Sequence, residues 1–111
     1  NGYTPGITTH DKRDDVEASE VSGTGYTAGG ETLTDTLTLG TNICTYDAAD
    51  VSWNPVTFTN GRYAILYKSR GGASSADELI GYLDFGADFS PSAEEFLLTW
   101  DAAGIFTISE A

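Results

Sequence analysis

His10 is the sole histidine, and it sits in Thr-His-Asp-Lys-Arg-Asp-Asp with Asp11, Asp14 and Asp15 close by. An imidazole beside carboxylates is the raw material of a general base or a metal site. A serine-type triad would also need a nucleophile on a strained Gly-x-Ser-x-Gly elbow, and no such motif occurs. His10 therefore reads as a surface residue of a charged segment. Asp84-Phe85-Gly86 spells a kinase metal-binding triplet, but the other kinase motifs are missing and the chain is far too short. Asp84 and Asp88, with Glu94 or Glu95, could offer oxygens to Ca²⁺. The spacing of a twelve-residue calcium loop is absent, so these acids read as a strand end, a glycine turn and solvated carboxylates. No catalytic, metal or cofactor set is expected.

The stretch SGTGYTAGG, from Ser22 to Gly30, looks superficially like a phosphate cradle. Such a cradle needs a helix N-terminus or a lysine behind it. Gly30 leads instead into a threonine-leucine alternation with no nearby base. Gly23, Gly25, Gly29 and Gly30 are expected to supply tight turns or close backbone approaches, with Tyr26 pinning the loop. Trp53 and Trp100, with six tyrosines, could form a stacking platform for sugars. Trp100 keeps step with Phe96 and Leu98, which assigns it to a core face. Tyr63, Tyr67 and Tyr82 fall in runs that look buried, so Trp53, before Asn54-Pro55, is the aromatic expected to be partly exposed.

These residues must be held by strands. Period-two alternation runs through ETLTDTLTL, where Leu33, Leu37 and Leu39 share a face with Asp35 and the threonines take the other. NICTYD and VSWNPVTFTN continue the pattern, with Pro55 predicting an edge, a bulge or a split strand. Cys44, alone in the chain, excludes an intrachain disulfide and reads as a small buried hydrophobe. GRYAILYKS and ELIGYLDFG are apolar on both faces and suit strands covered on both sides. Gly81 hints at a bulge or close packing. Ser92 to Glu95 could cap one helical turn, and FLLTW with GIFTISE is expected to close as a hairpin across DAAG. Six to eight short strands with frequent turns predict an all-β, single-domain β-sandwich or jelly-roll over residues 17–111. Residues 1–16 read as an irregular N-terminal arm.

The 111 residues suffice for one domain without disulfides or metals. Seventeen acidic against five basic residues give a net charge of −12, which argues against nucleic acid and anionic membrane surfaces as partners. No apolar run approaches the length of a membrane span.

Taken in order, EVSGTGYTAGGETL, DAADVSWNPVTFTNGRYAILYK, LIGYLDFGADFS and FLLTWDAAGIFTI resemble a widespread family of small tailed-bacteriophage virion proteins. The opening GYTPGITTHDKRDDV is similar to that family's Tyr-Thr-Pro…Thr-His…Asp-Val segment. Members of the family usually carry a further strand upstream, so a longer natural chain is expected. The resemblance implies a non-enzymatic structural protein of the virion's outer surface. The leading expectation is a capsid decoration or cement protein that contacts the major capsid protein and forms a homo-oligomer, a trimer among the options. The alternatives are a tail, neck or fibre-base component, or a carbohydrate-binding adhesion module. Tyr3, Pro5, His10, Arg13 and Trp53 are the candidate partner contacts.

Overall fold

A computed structural model of the chain describes residues 3–109, and it is all-β. Seven strands run in the order β1 Asp35–Gly40, β2 Ile43–Ala48, β3 Val51–Val56, β4 Gly61–Lys68, β5 Glu78–Phe89, β6 Glu94–Leu98 and β7 Phe106–Ser109. Helical geometry among the described residues is confined to single 3₁₀ turns at Arg13–Asp15, Glu17–Ser19 and Ser74–Ala76. Every ladder is antiparallel: β1–β2–β7, β3–β6 and β4–β5.

The β1–β2 hairpin turns at Thr41-Asn42, where Asn42 adopts φ 60°, a left-handed conformation that asparagine tolerates. β1 starts at Asp35, so the alternation before it lies in loop. Two residues separate β2 from β3, which continue as the partners of β7 and β6 in turn. Pro55 donates no N–H, and the ladder with β6 shifts register between Trp53 and Val56, so the proline marks a bulge. A second shift falls between Leu66 and Tyr67, opposite Gly81 and Leu79, leaving Ile80 as the extra residue. Gly81 thus neighbours a bulge, and nothing lies within 4 Å of where its Cβ would stand. Close packing does not explain it.

Four expectations are corrected. FLLTW and GIFTISE do not pair with each other: β6 lies on β3 and β7 on β2. Cys44 faces Ile108 and Val51 faces Leu98, so residues 94–109 run back along the whole β2–β3 edge. The intervening segment is a bulged loop rather than a reversal. Its turn is closed by Gly104 N–H donating to the Asp101 carbonyl (2.9 Å), and Ile105 N–H then rejoins the sheet at the Tyr46 carbonyl (2.8 Å). Second, Glu94 and Glu95 open β6 instead of a helical turn, because the Val56–Glu94 pairing recruits them. Third, β5 is not covered on both sides. Ile80 and Tyr82 remain exposed, with Tyr63 meeting Tyr82 edge-on at 6.0 Å. Fourth, Cys44 is only half-buried.

The buried apolar set among the described residues is small: Val16, Val51, Val56 and Phe58. Around it an aromatic chain links the ladders. Phe96 of β6 meets Phe85 and Phe89 of β5 at 5.8 and 6.0 Å between centroids, and meets Phe58 at 5.4 Å.

Residues 3–16 are irregular but laid against β5. Arg13 N–H donates to the Asp77 carbonyl (2.9 Å), Leu79 N–H donates to the Asp11 carbonyl (3.0 Å), and Lys12 bridges Glu78. The Asp77 carboxylate, 1% exposed, accepts the Arg70 N–H at 2.7 Å and stands 3.7 Å from the Arg13 guanidinium. One buried acid therefore fastens the N-terminal segment and the β4–β5 loop together.

The exposed bidentate pairs Arg70–Glu78 and Arg62–Asp84 brace the ends of that hairpin. The Arg70 hydrogen bonds hold the Glu78 carboxyl down to about 2, and Arg62 lowers that of Asp84. Because both acids are lower in the folded chain, their contribution is present above pH 4.5, the ordinary Glu value, and lost as pH falls toward 2. Acid unfolding followed by tryptophan fluorescence should therefore be less steep across that window in Arg70→Gln than in the parent.

Candidate functional site

The glycine-rich stretch packs across the end of β3. Gly25, Gly29 and Gly30 all have positive φ (80°, 97° and 76°). Gly23 has no such angle; its constraint is proximity, since a Cβ there would collide with the Thr57 carbonyl. Gly25 carries both, with the Pro55 carbonyl directly in the way of a side chain. Thr57 N–H donates to the Thr24 carbonyl at 2.9 Å, which secures the approach.

Tyr26 folds back from this loop. Its ring stacks on Trp53 (6.2 Å) and meets Phe58 edge-on (6.3 Å). Its hydroxyl donates to Glu20 Oε1 at 2.7 Å, and the same oxygen accepts the Gly29 N–H at 2.6 Å. Tyr67 of β4 completes the clasp by donating to the Gly29 carbonyl at 2.7 Å, and the Arg13 guanidinium lies 5.2 Å from the Tyr67 ring centre. Burial, and then the Glu20 hydrogen bond, push the Tyr26 hydroxyl well above the usual phenol range. Glu20 escapes sequence reasoning, because its only signal is an acid placed shortly before the glycine run. Removing the hydroxyl in Tyr26→Phe deletes one charge-assisted bond while Gly29 still holds Glu20, so denaturant unfolding should show a loss of about 1–2 kcal/mol.

Behind the clasp lies a cavity of about 620 Å³ between β4–β5 and β3–β6, walled by Tyr26, Trp53, Phe58, Tyr67, Phe96 and Trp100. Its size is that of a small-molecule pocket. Trp53 is half-buried in this wall, stacked on Tyr26 and tilted against Phe96. The indole N–H groups of Trp53 and Trp100 are buried and meet no acceptor among the described residues.

The remaining candidate residues lie elsewhere. Tyr3 stacks on His10 (5.7 Å) and meets Tyr63 edge-on (5.6 Å). The Gly6 N–H donates to His10 Nδ1 (3.2 Å), which makes that nitrogen an acceptor inside its own turn. Pro5 is half-buried in the same segment, and Arg13 makes internal contacts with Asp77 and Tyr67. Asp84 is held by Arg62, and Glu95 accepts from Ser52 at 2.7 Å, so these two acids have separate protein partners rather than a shared focus. Among the described residues no three metal-ligating side chains gather. At the cavity Glu20, Tyr26 and Tyr67 are engaged in the clasp.

What the molecule displays instead is apolar surface. Ten large hydrophobic side chains are exposed among the described residues, and β1 and β7 carry Leu37, Leu39, Phe106 and Ile108 of that set.

No family model, curated protein or solved structure matches the chain.

Proposed function

We propose that this chain is a non-enzymatic structural protein of a tailed-bacteriophage virion, a capsid decoration or cement protein that bridges neighbouring capsid subunits. In this reading the ladders are the two layers of a β-sandwich, with the Phe85–Phe96 and Phe89–Phe96 contacts crossing between them. The observation that carries the proposal is the exposed apolar side chains on a chain whose buried apolar core is four residues among those described. Surfaces of that kind mark protein–protein contacts. The virion assignment adds the family likeness of four consecutive segments, whose residues here serve as strands and turns. The glycine-rich loop belongs to the scaffold by the same reasoning, because each of its glycines answers a backbone demand.

The net charge of −12 suits attachment to neutral or basic protein surfaces and keeps the free chain soluble. Cryo-electron microscopy of the particle that carries this protein is the direct test. Density for the chain repeating over the capsid lattice, in hundreds of copies, is the expected result. Density restricted to the tail or neck, in multiples of three, six or twelve, would replace the decoration role with the tail role. Absence from purified particles would remove both.

A further inference from the structure

The β1–β2–β7 sheet has two faces of unlike chemistry. Its register sets Leu37, Tyr46 and Phe106 abreast in one row, and Leu39, Cys44 and Ile108 abreast in the next. Side chains alternate along each strand, so all six point to one side. Thr36, Thr38, Ile43, Thr45, Asp47, Thr107 and Ser109 point to the other. That face is mostly polar, with Ile43 its one exposed large hydrophobic and the Gly104 turn lying against Thr45 and Asp47. Four of the six are exposed on the apolar one, Leu39 at 76%, Ile108 at 66%, Leu37 at 61% and Phe106 at 46%, while Cys44 and Tyr46 in the middle strand are half-buried. Tyr46 and Phe106 already stack at 5.1 Å, and the Tyr46 hydroxyl donates to Asp35 Oδ2 (3.0 Å) at the patch's rim. The grid is therefore preformed, with its polar tip satisfied.

We propose that a second copy of this chain covers this face, the two β1–β2–β7 sheets packing against each other through Leu37, Leu39, Tyr46, Phe106 and Ile108. Area points to a partner of substantial size. A monomer of 11.7 kDa is expected to expose roughly 5,900 Å². This chain exposes 7246 Å². The surplus, roughly 1,300 Å² over the whole chain, leaves room for the roughly 800 Å² that each partner buries in a standard interface. Charge points to a like partner. Two copies at −12 repel over most of their surfaces, and an uncharged grid is where they can meet without pairing acids. A foreign partner chosen by the acidic surface would be expected to meet carboxylates, and the six-residue grid has none. An apolar centre depleted of charge is also the composition of homo-oligomer interfaces. Finally, the thin core needs cover wherever the chain is made, and another copy is present there too.

Self-association of this kind is a property of the free protein and does not depend on a role in the particle. Sedimentation velocity of the purified chain at micromolar concentration should give at least twice the 11.7 kDa chain mass. Leu39→Glu and Ile108→Glu should each halve that mass or reduce it further. Thr38→Glu, on the opposite face of the same strand, should leave it unchanged. Circular dichroism identifies any variant that fails to fold. The parent protein supplies an independent readout, because Cys44 lies within the grid: labelling of its thiol should speed up several-fold on dilution as the copies separate. A single-chain mass at all concentrations, Cys44 labelling independent of dilution, or equal losses from Thr38→Glu and Leu39→Glu would each overturn the proposal.

Discussion

Gly25→Val is expected to lower the unfolding free energy by about 3 kcal/mol or more, the largest effect of any substitution in the glycine-rich loop. Two costs combine. The left-handed backbone at φ 80° disfavours a residue with a Cβ by roughly 1–2 kcal/mol. The Pro55 carbonyl occupies the side chain's place, and forced overpacking adds about 1–3 kcal/mol. At this size each kcal/mol moves the midpoint by about 4 °C or more, so thermal unfolding measures it directly. Gly71→Ala separates the two costs, since Gly71 has φ 75° with nothing within 4 Å of a Cβ. It should lose the conformational part alone. Gly29→Val should fall between them: its φ is also positive, but a Cβ would meet Arg13 and Tyr67 only at 3.5 Å. Equal losses at Gly25 and Gly71 would show that the close approach to β3 contributes nothing.

Asp77→Ala should cost about 3 kcal/mol, for a different reason. The Arg70 N–H would lose a charged acceptor, and the Arg13 guanidinium would lose the carboxylate it pairs with. Hydrogen bonds to charged groups contribute roughly 1.5–3 kcal/mol, and stranding the partner of a buried ion adds to that. Asp77→Asn keeps an oxygen for the Arg70 N–H and loses only the attraction to Arg13. With that pair at 3.7 Å and Arg13 partly exposed, its loss should be about 1 kcal/mol. Urea unfolding of both variants checks the ordering. If Asn were as damaging as Ala, the charge rather than the hydrogen bond would be the fastening.

The strands are legible in the sequence because alternation is local: the apolar positions of β1, β2 and β6 can be read two residues at a time. Their partners are not. Nothing within FLLTW or GIFTISE distinguishes pairing with each other from pairing with β3 and β2; that choice depends on an edge some fifty residues away in sequence. Pro55 gives its bulge away through its missing N–H. Asp77 gives no warning, because an acid after a Gly/Ser loop ordinarily faces water, and only the docked N-terminal segment buries it. The exposed faces mislead for a related reason. An apolar strand predicts that something covers it, and the alternation of β1 and β5 carries no information on whether the cover comes from the same chain.

The antiparallel return of residues 94–109 along β2–β3 also sets an order of events during synthesis. Ile43 pairs with Ser109, whereas Lys68 pairs with Glu78 only ten positions later. The β4–β5 hairpin closes a short loop and can form early, while β2–β3 must wait for a contact across a far longer one. Until residues 94–109 have left the ribosome, the nascent chain holds a hydrophobic strand edge open, guarded by its own acidic charge rather than by structure.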